Sequence, residues 1–355
     1  MDTEKIVEYG RKLKEFKLDR KINIMEVCGT HTMQYFHTGV KDIFPENLNL
    51  IDGPGCPVCV TANDYLDRAI EIMKQKNVIL TTFGDMLKVP SSYSSLQKEK
   101  ANGSDVEIVY SPLDALKIAE ENPDREVMFL SVGFETTIPT EAIAVKNAIK
   151  KNINNFTILP GNKLTPPAVD ALLSMGEVKI DGFILPGHAS IITGVDAWSF
   201  IRDKYNIPSV VTGFESRELI FGTLMLLDLI ANNKSDLLNS YKEVVSDEGN
   251  LKAKEIISEY FDVIDTDWRG IGVIPDSGLG LKEEYSKFDA VKKFPVEVPP
   301  VVEPKGCRCG EILRGLVTPL ECPLFGKKCT PRNPVGACMV SSEGSCAAFY
   351  RYKKD

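Results

Sequence analysis

Six of the nine cysteines in this chain fall in its C-terminal segment, with the spacing C-x-C-x12-C-x6-C-x8-C-x7-C. They are Cys307, Cys309, Cys322, Cys329, Cys338 and Cys346. Thiolates bind soft and borderline metals, and four of them complete either a tetrahedral zinc site or a four-iron cluster. Six cysteines therefore predict a metal–sulfur site with two thiols left over for redox chemistry.

Three kinds of site compete for this segment. Zinc sites usually contain paired C-x2-4-C knuckles, and none occurs in the segment. Structural disulfides are typical of oxidising compartments, which the rest of the chain does not indicate. Wide, irregular spacings interrupted by Pro and Gly are typical of loops around a cluster. An iron–sulfur cluster is therefore the favoured interpretation, with zinc as the alternative.

The other three cysteines lie in polar turns near the N-terminus. Cys56 and Cys59 form a C-x2-C pair in the turn Gly53–Cys59, a spacing that suits either a dithiol–disulfide couple or half of a metal site. Cys28 has His31 three residues later. A thiol beside an imidazole is a candidate nucleophile or metal-ligand pair, and a buried small hydrophobe is the alternative for Cys28.

Two further polar side chains stand in similar turns later in the chain. Glu135 lies in Gly133–Thr137 and His188 in Pro186–Ser190. Together with the three N-terminal cysteines, they are expected to face one crevice and form the catalytic site. The chain has no G-x4-G-K-[ST] and no G-x-G-x2-G after a strand, so a nucleotide site is not supported.

Short apolar runs alternate with helical patterns and would position these turns. The runs that predict strands are 22–27, 48–51, 78–80, 106–109, 127–132, 156–159, 182–185 and 209–211. Such alternation indicates an α/β fold with parallel sheets. Ligands bind outside the carboxyl ends of parallel strands, and each polar turn lies at such an end.

The order of these patterns suggests two similar parallel-sheet α/β domains flanking a cleft, followed by a helical and loop-rich C-terminal domain that carries the cluster. The predicted divisions are an N-terminal helix at 1–20, domain I at 21–120, domain II at 121–215 and the C-terminal domain at 216–355. Within the last, residues 266–281 are expected to form an ordered loop and residues 294–304 a proline-rich connector.

Bulk properties limit the partners. The net charge of −8 argues against nucleic acid, because phosphate binding needs a basic face. The charged N-terminus lacks the apolar region of a signal peptide. The longest apolar stretch, Leu219 to Ala231, is too short to span a bilayer. We therefore expect a cytoplasmic protein without a membrane partner, whose cysteines serve as metal ligands or redox groups.

These motifs together resemble the HypD family of NiFe-hydrogenase maturation factors. The resemblance runs essentially end to end and is carried by Met25–Thr32 (MEVCGTHT), Gly53–Cys59, Gly133–Thr137, Pro186–Ser190 and the cysteine-rich tail. It implies a scaffold for metal-cofactor assembly, with redox and ligand-transfer chemistry, rather than a conventional turnover enzyme. The implied partners are a HypC-type small chaperone, a HypE-type cyanide donor and, through the chaperone, the hydrogenase large subunit.

The resemblance also implies roles for individual cysteines. Cys28 would help to hold the iron that becomes Fe(CN)2CO, and Cys56 and Cys59 would form a redox pair in the cleft. The tail is similar to ferredoxin:thioredoxin reductase, in which cluster ligands and redox cysteines interleave. That similarity assigns a 4Fe–4S cluster to Cys307, Cys322, Cys329 and Cys346. It leaves Cys309 and Cys338 as a redox pair.

Two other classes of function stay open from the sequence. One is a stand-alone iron–sulfur disulfide reductase resembling ferredoxin:thioredoxin reductase. The other is an interaction protein whose cluster or zinc only fastens the tail. Bound CN and CO would distinguish an assembly scaffold from both.

Overall fold

Parallel strands joined by helices form the body of the protein in this computed structural model, which describes residues 3–17, 19–75 and 77–352. The strands are β1 Ile22–Glu26, β2 Leu48–Asp52, β3 Val78–Thr82, β4 Val106–Ile108, β5 Glu126–Ser131, β6 Phe156–Pro160, β7 Gly182–Pro186, β8 Ser209–Thr212, β9 Leu237–Asn239, β10 Phe261–Trp268 and β11 Gly272–Leu281. The prediction of an α/β fold with parallel sheets is confirmed.

Helices cover both sheets and connect their strands. They are α1 Thr3–Lys14, α2 Gly29–His37, α3 Pro57–Val60, α4 Asn63–Met73, α5 Leu96–Ala101, α6 Pro112–Glu121, α7 Ile138–Lys151, α8 Thr165–Met175, α9 Gly187–Thr193, α10 Ser199–Tyr205, α11 Ser216–Ala231, α12 Leu251–Tyr260, α13 Ala290–Lys293, α14 Cys309–Leu313 and α15 Ser345–Tyr352. Short 3-10 helices lie at Val40–Ile43, Gly84–Lys88, Asp196–Trp198, Glu283–Phe288, Pro319–Glu321 and Ala337–Met339.

The strands form a five-stranded sheet in the order β2-β1-β7-β8-β9 and a four-stranded sheet in the order β4-β3-β5-β6. All neighbouring strands in both sheets are parallel. The two sheets therefore share one design, in which the strand order reverses between two central strands. The four-stranded sheet is inserted in the chain between β2 and β7.

This topology corrects the predicted domain boundaries. The division at residue 120 would separate β3 and β4 from β5 and β6, although these four strands form one sheet. Likewise, α11 and β9 lie beyond the predicted boundary at 215, yet β9 pairs with β8 and α11 packs on that strand. Apolar runs specify strands, whereas strand pairing depends on contacts between distant segments.

The segment expected to be an ordered loop at 266–281 is instead part of an antiparallel hairpin, β10–β11. Its inner face is buried through residues such as Trp268, Ile274 and Leu279. The hairpin contacts both sides of the cleft, because Thr61 bridges to Trp268 and Lys163 bridges to Gly278. Exposed polar residues and glycines in the strands concealed this pairing from the sequence.

The predicted N-terminal helix is present as α1, and residues 1, 2 and 18 of the predicted range 1–20 lie outside the described residues. Leu13 is fully buried, and α1 packs against α11. Burial of such a leucine contributes about 2 kcal/mol. Across the described parts of the chain, no helix combines the length and apolar character needed to cross a membrane.

The tail packs against both sheet regions. Arg314 pairs with Glu177 at 2.6 Å, and Ser341 donates to Asp85 at 2.8 Å. Helix α15 also packs on α2. The tail is thus a third side of the cleft, in contact with the connections of both sheets.

Candidate functional site

A cavity of about 320 Å³ lies between the carboxyl ends of the two sheets. Cys28 and His188 enter it from the turns after β1 and β7, and Asp85 and Phe134 enter it from the turns after β3 and β5. These are the strand pairs at which the order of each sheet reverses, the place where open α/β sheets bind ligands. Glu343 of the tail closes the third side. The predicted crevice is thus present.

Cys28 is held by two neighbouring turns. The Gly29 amide donates to the Gly55 carbonyl at 2.7 Å. A Cβ on Gly55 would lie 2.2 Å from the Cys28 nitrogen, so only glycine permits this close approach. The Cys28 amide donates to the Glu26 carboxylate at 2.8 Å. Together these contacts position the thiol at the N-terminus of α2, where it is partly accessible from the cavity.

Surrounding protein and the negative charges of Glu343 and Glu26 raise the pKa of Cys28 to about 12. The nearby backbone amides of His31 and Thr30 lower the pKa of Cys28 and so oppose this shift. The thiol therefore keeps its proton at neutral pH unless a cation replaces that proton. This behaviour suits a metal ligand better than a free nucleophile, which needs a low thiol pKa.

His188 and His31 are joined through an aromatic stack. His188 stacks on Phe214 with ring centroids 3.8 Å apart, and Phe214 stacks on His31 at 4.5 Å. His31 is fully buried, and its Nε2 lies 3.0 Å from the Gly213 carbonyl. Burial lowers the pKa of His31 to about 4. His188 lines the cavity. His31 does not, and it packs behind the cavity wall as a neutral ring.

Glu135 does not face the crevice, in contrast to the prediction. Its side chain is 3 % exposed and accepts hydrogen bonds from the amide of Thr165, at 2.6 Å, and from its hydroxyl. Thr165 begins α8, so the carboxylate satisfies free amides at a helix start. Burial raises the pKa of Glu135 to about 7. The Gly133–Thr137 turn lines the cavity through other residues, including Phe134 and Thr137.

Cys56 and Cys59 form a disulfide across the start of α3. Pro57 at the first helical position favours this short helix, and the Cys59 amide donates to the Cys56 sulfur at 3.2 Å. Pro57 and Val58 line the cavity, while both sulfur-bearing residues are buried beneath them. The disulfide therefore lies behind the cavity wall and is screened from solvent.

The six tail cysteines surround one closed space, the cysteine chamber, which is lined by Cys307, Cys309, Cys322, Cys329, Cys338 and Cys346 with Ile312, Phe325, Gly336 and Met339. A Cβ on Gly336 would lie 2.7 Å from the Cys307 sulfur, so glycine preserves room beside that thiol. The Val335 amide donates to the Cys329 sulfur at 3.3 Å, a contact typical of cluster ligands.

This donor set fits an iron–sulfur cluster. Within residues 3–17, 19–75 and 77–352, no three Cys, His, Asp or Glu side chains are arranged to hold a single metal ion. The six cysteines line one space, so four of their thiols are available to a cluster bound there. The chamber offers thiol donors with no carboxylate or imidazole in its lining, which favours soft metal chemistry.

The chamber also contacts the wall of the cavity. Within it the thiols of Cys309 and Cys338 act on each other, because Cys338 lowers the pKa of Cys309 and Cys309 raises the pKa of Cys338. Helix α3, which carries Cys59, packs directly on the Ala337–Met339 turn. The disulfide and the Cys309–Cys338 pair therefore belong to adjoining elements of one apolar cluster.

Several residues around the site were not predicted from the sequence. Glu26 and Asp52 are buried carboxyl groups behind Cys28, and burial raises the pKa of both. Glu343 accepts from the Thr30 hydroxyl at 2.6 Å. Glu26 lies in the MEVCGTHT motif, and Asp52 directly precedes the Gly53–Cys59 turn, so both could have been found from the sequence. Glu343 is an ordinary acidic residue in sequence, and tertiary contact alone brings it to the site.

Comparisons with known proteins agree with this architecture. The family model HypD, described as the hydrogenase formation hypA family, matches residues 4–353. The chain is 43% identical to hydrogenase maturation factor HypD of Azotobacter vinelandii over 340 residues, covering 94% of this chain and 90% of the relative. It is 44% identical to HypD of Escherichia coli K12 (96% and 91% covered) and 40% identical to HypD of Cupriavidus necator (95% and 91% covered).

Proposed function

The chain belongs to the HypD family of hydrogenase maturation factors, and from that premise we propose that its cavity is the place where a NiFe-hydrogenase iron acquires cyanide and CO. The observation that carries this proposal is the placement of Cys28 in a cavity where the switch points of two sheets meet. A HypC-type chaperone and a HypE-type cyanide donor are the proposed partners, and the hydrogenase large subunit is the proposed recipient. The proposed location is the cytoplasm, whose reducing pool keeps unpaired thiols free.

Iron is the substrate of this site, and Cys28 is its proposed protein ligand. Fe(II) accepts thiolate and imidazole donors, and an incoming cation would displace the Cys28 proton. Cyanide and CO require open coordination positions, so few protein donors should reach the ion. Among the described cavity residues, Cys28 supplies the thiol and His188 the imidazole. The small chaperone would supply a further ligand.

The chamber residues proposed to hold a 4Fe–4S cluster are Cys307, Cys322, Cys329 and Cys346. When bound, such a cluster supplies electrons one at a time. Cys309 and Cys338 line the same chamber and shift each other's pKa, which supports their assignment as the redox pair. This division of the six cysteines also follows from the similarity to ferredoxin:thioredoxin reductase.

The Cys56–Cys59 pair is proposed to couple this chemistry to the cavity. Release of cyanide from a thiocyanate breaks its S–C bond and takes up two electrons. Oxidation of the Cys56 and Cys59 dithiol to the disulfide releases two electrons and two protons, which balances that step. Thiol–disulfide exchange then restores the dithiol as Cys309 and Cys338 become a disulfide. The contact between α3, which carries Cys59, and the Ala337–Met339 turn, which carries Cys338, supports this exchange.

Infrared spectroscopy of the complex with the small chaperone tests the proposal. We expect bands from iron-bound CN and CO in the wild type, no bands with Cys28→Ser, and slow appearance of the CN bands with Cys56→Ala. Val245→Ala, a buried change away from the cavity, is the control. A Cys56→Ala variant that loads both cyanides at the normal rate would contradict the role of the pair. Absence of bands in the wild type, with intact disulfide reductase activity, would instead support the stand-alone reductase.

A further inference from the structure

A positively charged surface begins beside Cys329, one of the residues that line the cysteine chamber, in a protein whose net charge is −8. This basic surface consists of Lys88, Lys98, Lys327, Lys328 and Arg332, all exposed. None of these five side chains takes part in the ion pairs of the described residues. Between residues 322 and 342 the sequence contains no Asp or Glu, so Lys327, Lys328 and Arg332 have no acidic neighbour in their own loop.

The fold brings these five cations together from two segments. Lys327 and Lys328 directly precede Cys329. The side-chain amide of Asn333 stabilises the same loop by donating to the Lys328 carbonyl at 3.3 Å. Arg332 lines a cavity of about 350 Å³ together with Lys88 and Lys98. The basic surface therefore continues from the loop around Cys329 to the Gly84–Lys88 turn and α5.

We propose that the basic surface docks an acidic one-electron carrier protein, of the iron–sulfur or flavin class, that supplies reducing equivalents to the chamber. This inference rests on the proposed function, which needs a reductant that the chain does not contain. Reduction of one disulfide to two thiols takes two electrons and two protons. Two successive encounters with a reduced carrier supply the electrons, each encounter oxidises one carrier, and water supplies the protons.

Charge complementarity favours a protein carrier as the occupant. The cations are exposed and spread over two segments, whereas a site for a small anion would enclose its ligand with buried donors. An opposite charge on the carrier accelerates its encounter and orients it. Cys329 borders both the chamber and the basic loop, so a docked carrier lies close to the chamber wall. Electron transfer rates fall steeply with distance, which makes this placement useful.

The test is stopped-flow reduction of the cluster-loaded protein by a reduced plant-type two-iron ferredoxin, an acidic carrier, across a range of salt concentrations. We expect the second-order rate constant to fall with added salt and to fall about tenfold in the triple variant Lys327→Glu, Lys328→Glu, Arg332→Glu. The triple variant Lys327→Gln, Lys328→Gln, Arg332→Gln should show a smaller loss. Reduction by dithionite, a small anion that carries far fewer charges than a protein carrier, should slow much less than reduction by ferredoxin in both variants.

The matched control carries the same charge change at three exposed lysines elsewhere, Lys150→Glu, Lys234→Glu and Lys252→Glu. Equal rates in the two charge-reversed proteins would overturn the proposal, as would a salt-independent rate in the wild type. Inhibition by inorganic phosphate at constant ionic strength, without any effect of charge reversal on ferredoxin, would show a small-anion site and also overturn it. A protein that assembles no cluster, seen from the absence of charge-transfer absorbance, would instead refute the proposed function itself.

Discussion

Cys28 illustrates how few side chains define the chemistry of the cavity. Its thiol is positioned by a glycine that no other residue can replace and by the buried carboxylate of Glu26. Its pKa of about 12 keeps it protonated until a cation binds. A site of this kind stays unreactive in the metal-free protein, because the thiolate is the reactive form of cysteine.

Access to Cys28 is controlled by Glu343 of the tail. Its carboxylate accepts from Thr30, and its backbone and Cβ pack where a Gly29 side chain would lie. We expect Glu343→Ala to increase the rate of Cys28 alkylation in the metal-free protein several-fold, because the variant opens the third side of the cavity and removes a negative charge that raises the pKa of Cys28. Mass spectrometry of the Cys28 peptide measures this rate.

Glu297→Ala, at an exposed carboxylate, is the matched control and should leave the alkylation rate unchanged. If Glu343→Ala also left it unchanged, Glu343 would not restrict access to Cys28.

At the scale of elements, the β10–β11 hairpin joins α3 to the tail. The Arg269 amide donates to the Val60 carbonyl at 2.9 Å, and its side chain donates to the Thr61 carbonyl at 2.8 Å. Gly270 follows in the hairpin turn and packs on Gly310 of α14. The hairpin thus fixes the position of Cys309 relative to the disulfide.

The contact between Gly310 and Gly270 should be sensitive to a single methyl group. A Cβ on Gly310 would lie 2.7 Å from the Gly270 Cα, a backbone atom that cannot move without shifting the hairpin. We expect Gly310→Ala to lower the free energy of unfolding by about 1–3 kcal/mol and to reduce the iron bound per chain. Chemical denaturation and iron analysis measure the two effects.

Gly84→Ala serves as the comparison, because its Cβ would meet the nearest atom at an ordinary 3.7 Å. A similar loss of stability in both variants would show that the close approach at Gly310 is not the cause.

For the whole molecule, buried carboxyl groups should determine how stability depends on pH. Burial raises the pKa of Glu141 to about 8, against hydrogen bonds from Ser131 and Asn162 that lower it. Burial also raises the pKa of Glu135, to about 7. The folded state therefore holds these protons more tightly than the unfolded chain. Their contribution to stability is complete below about pH 4.5 and is lost as pH rises to about 8.

We expect Glu141→Gln to remove part of this pH dependence. The variant should match the wild type near pH 4 and exceed its unfolding free energy by about 5 kcal/mol near pH 9, because by then the wild type must ionise a group whose pKa is about 8 in the folded state and 4.5 in the unfolded chain. Urea unfolding at both pH values measures the difference. His31, whose pKa is lowered to about 4, acts in the opposite direction below about pH 6.5 in both proteins, so it cancels from the comparison.

Glu121→Gln, at an exposed carboxylate, provides the control and should change stability little at either pH. Parallel pH profiles for Glu141→Gln and the wild type would show that Glu141 does not titrate in this range.

The sequence by itself determined the eight parallel strands β1 to β8, the polar turns at their ends and the cysteine-rich tail. Apolar runs such as 127–132 report burial directly, and the MEVCGTHT motif marks Cys28 without any structure. The existence of a crevice followed from a general property of parallel strands, which needs no knowledge of which strands pair.

Only the tertiary structure decided how the strands divide between the sheets and which polar residues reach the cavity. β1 pairs with β7, more than a hundred residues later, and nothing local in either strand specifies that partner. Glu135 and His188 occupy similar turns, yet one supports α8 and the other faces the cavity. The physical reason is the same in both cases: pairing and side-chain direction depend on contacts between distant segments, whereas the sequence pattern reports only local periodicity and burial.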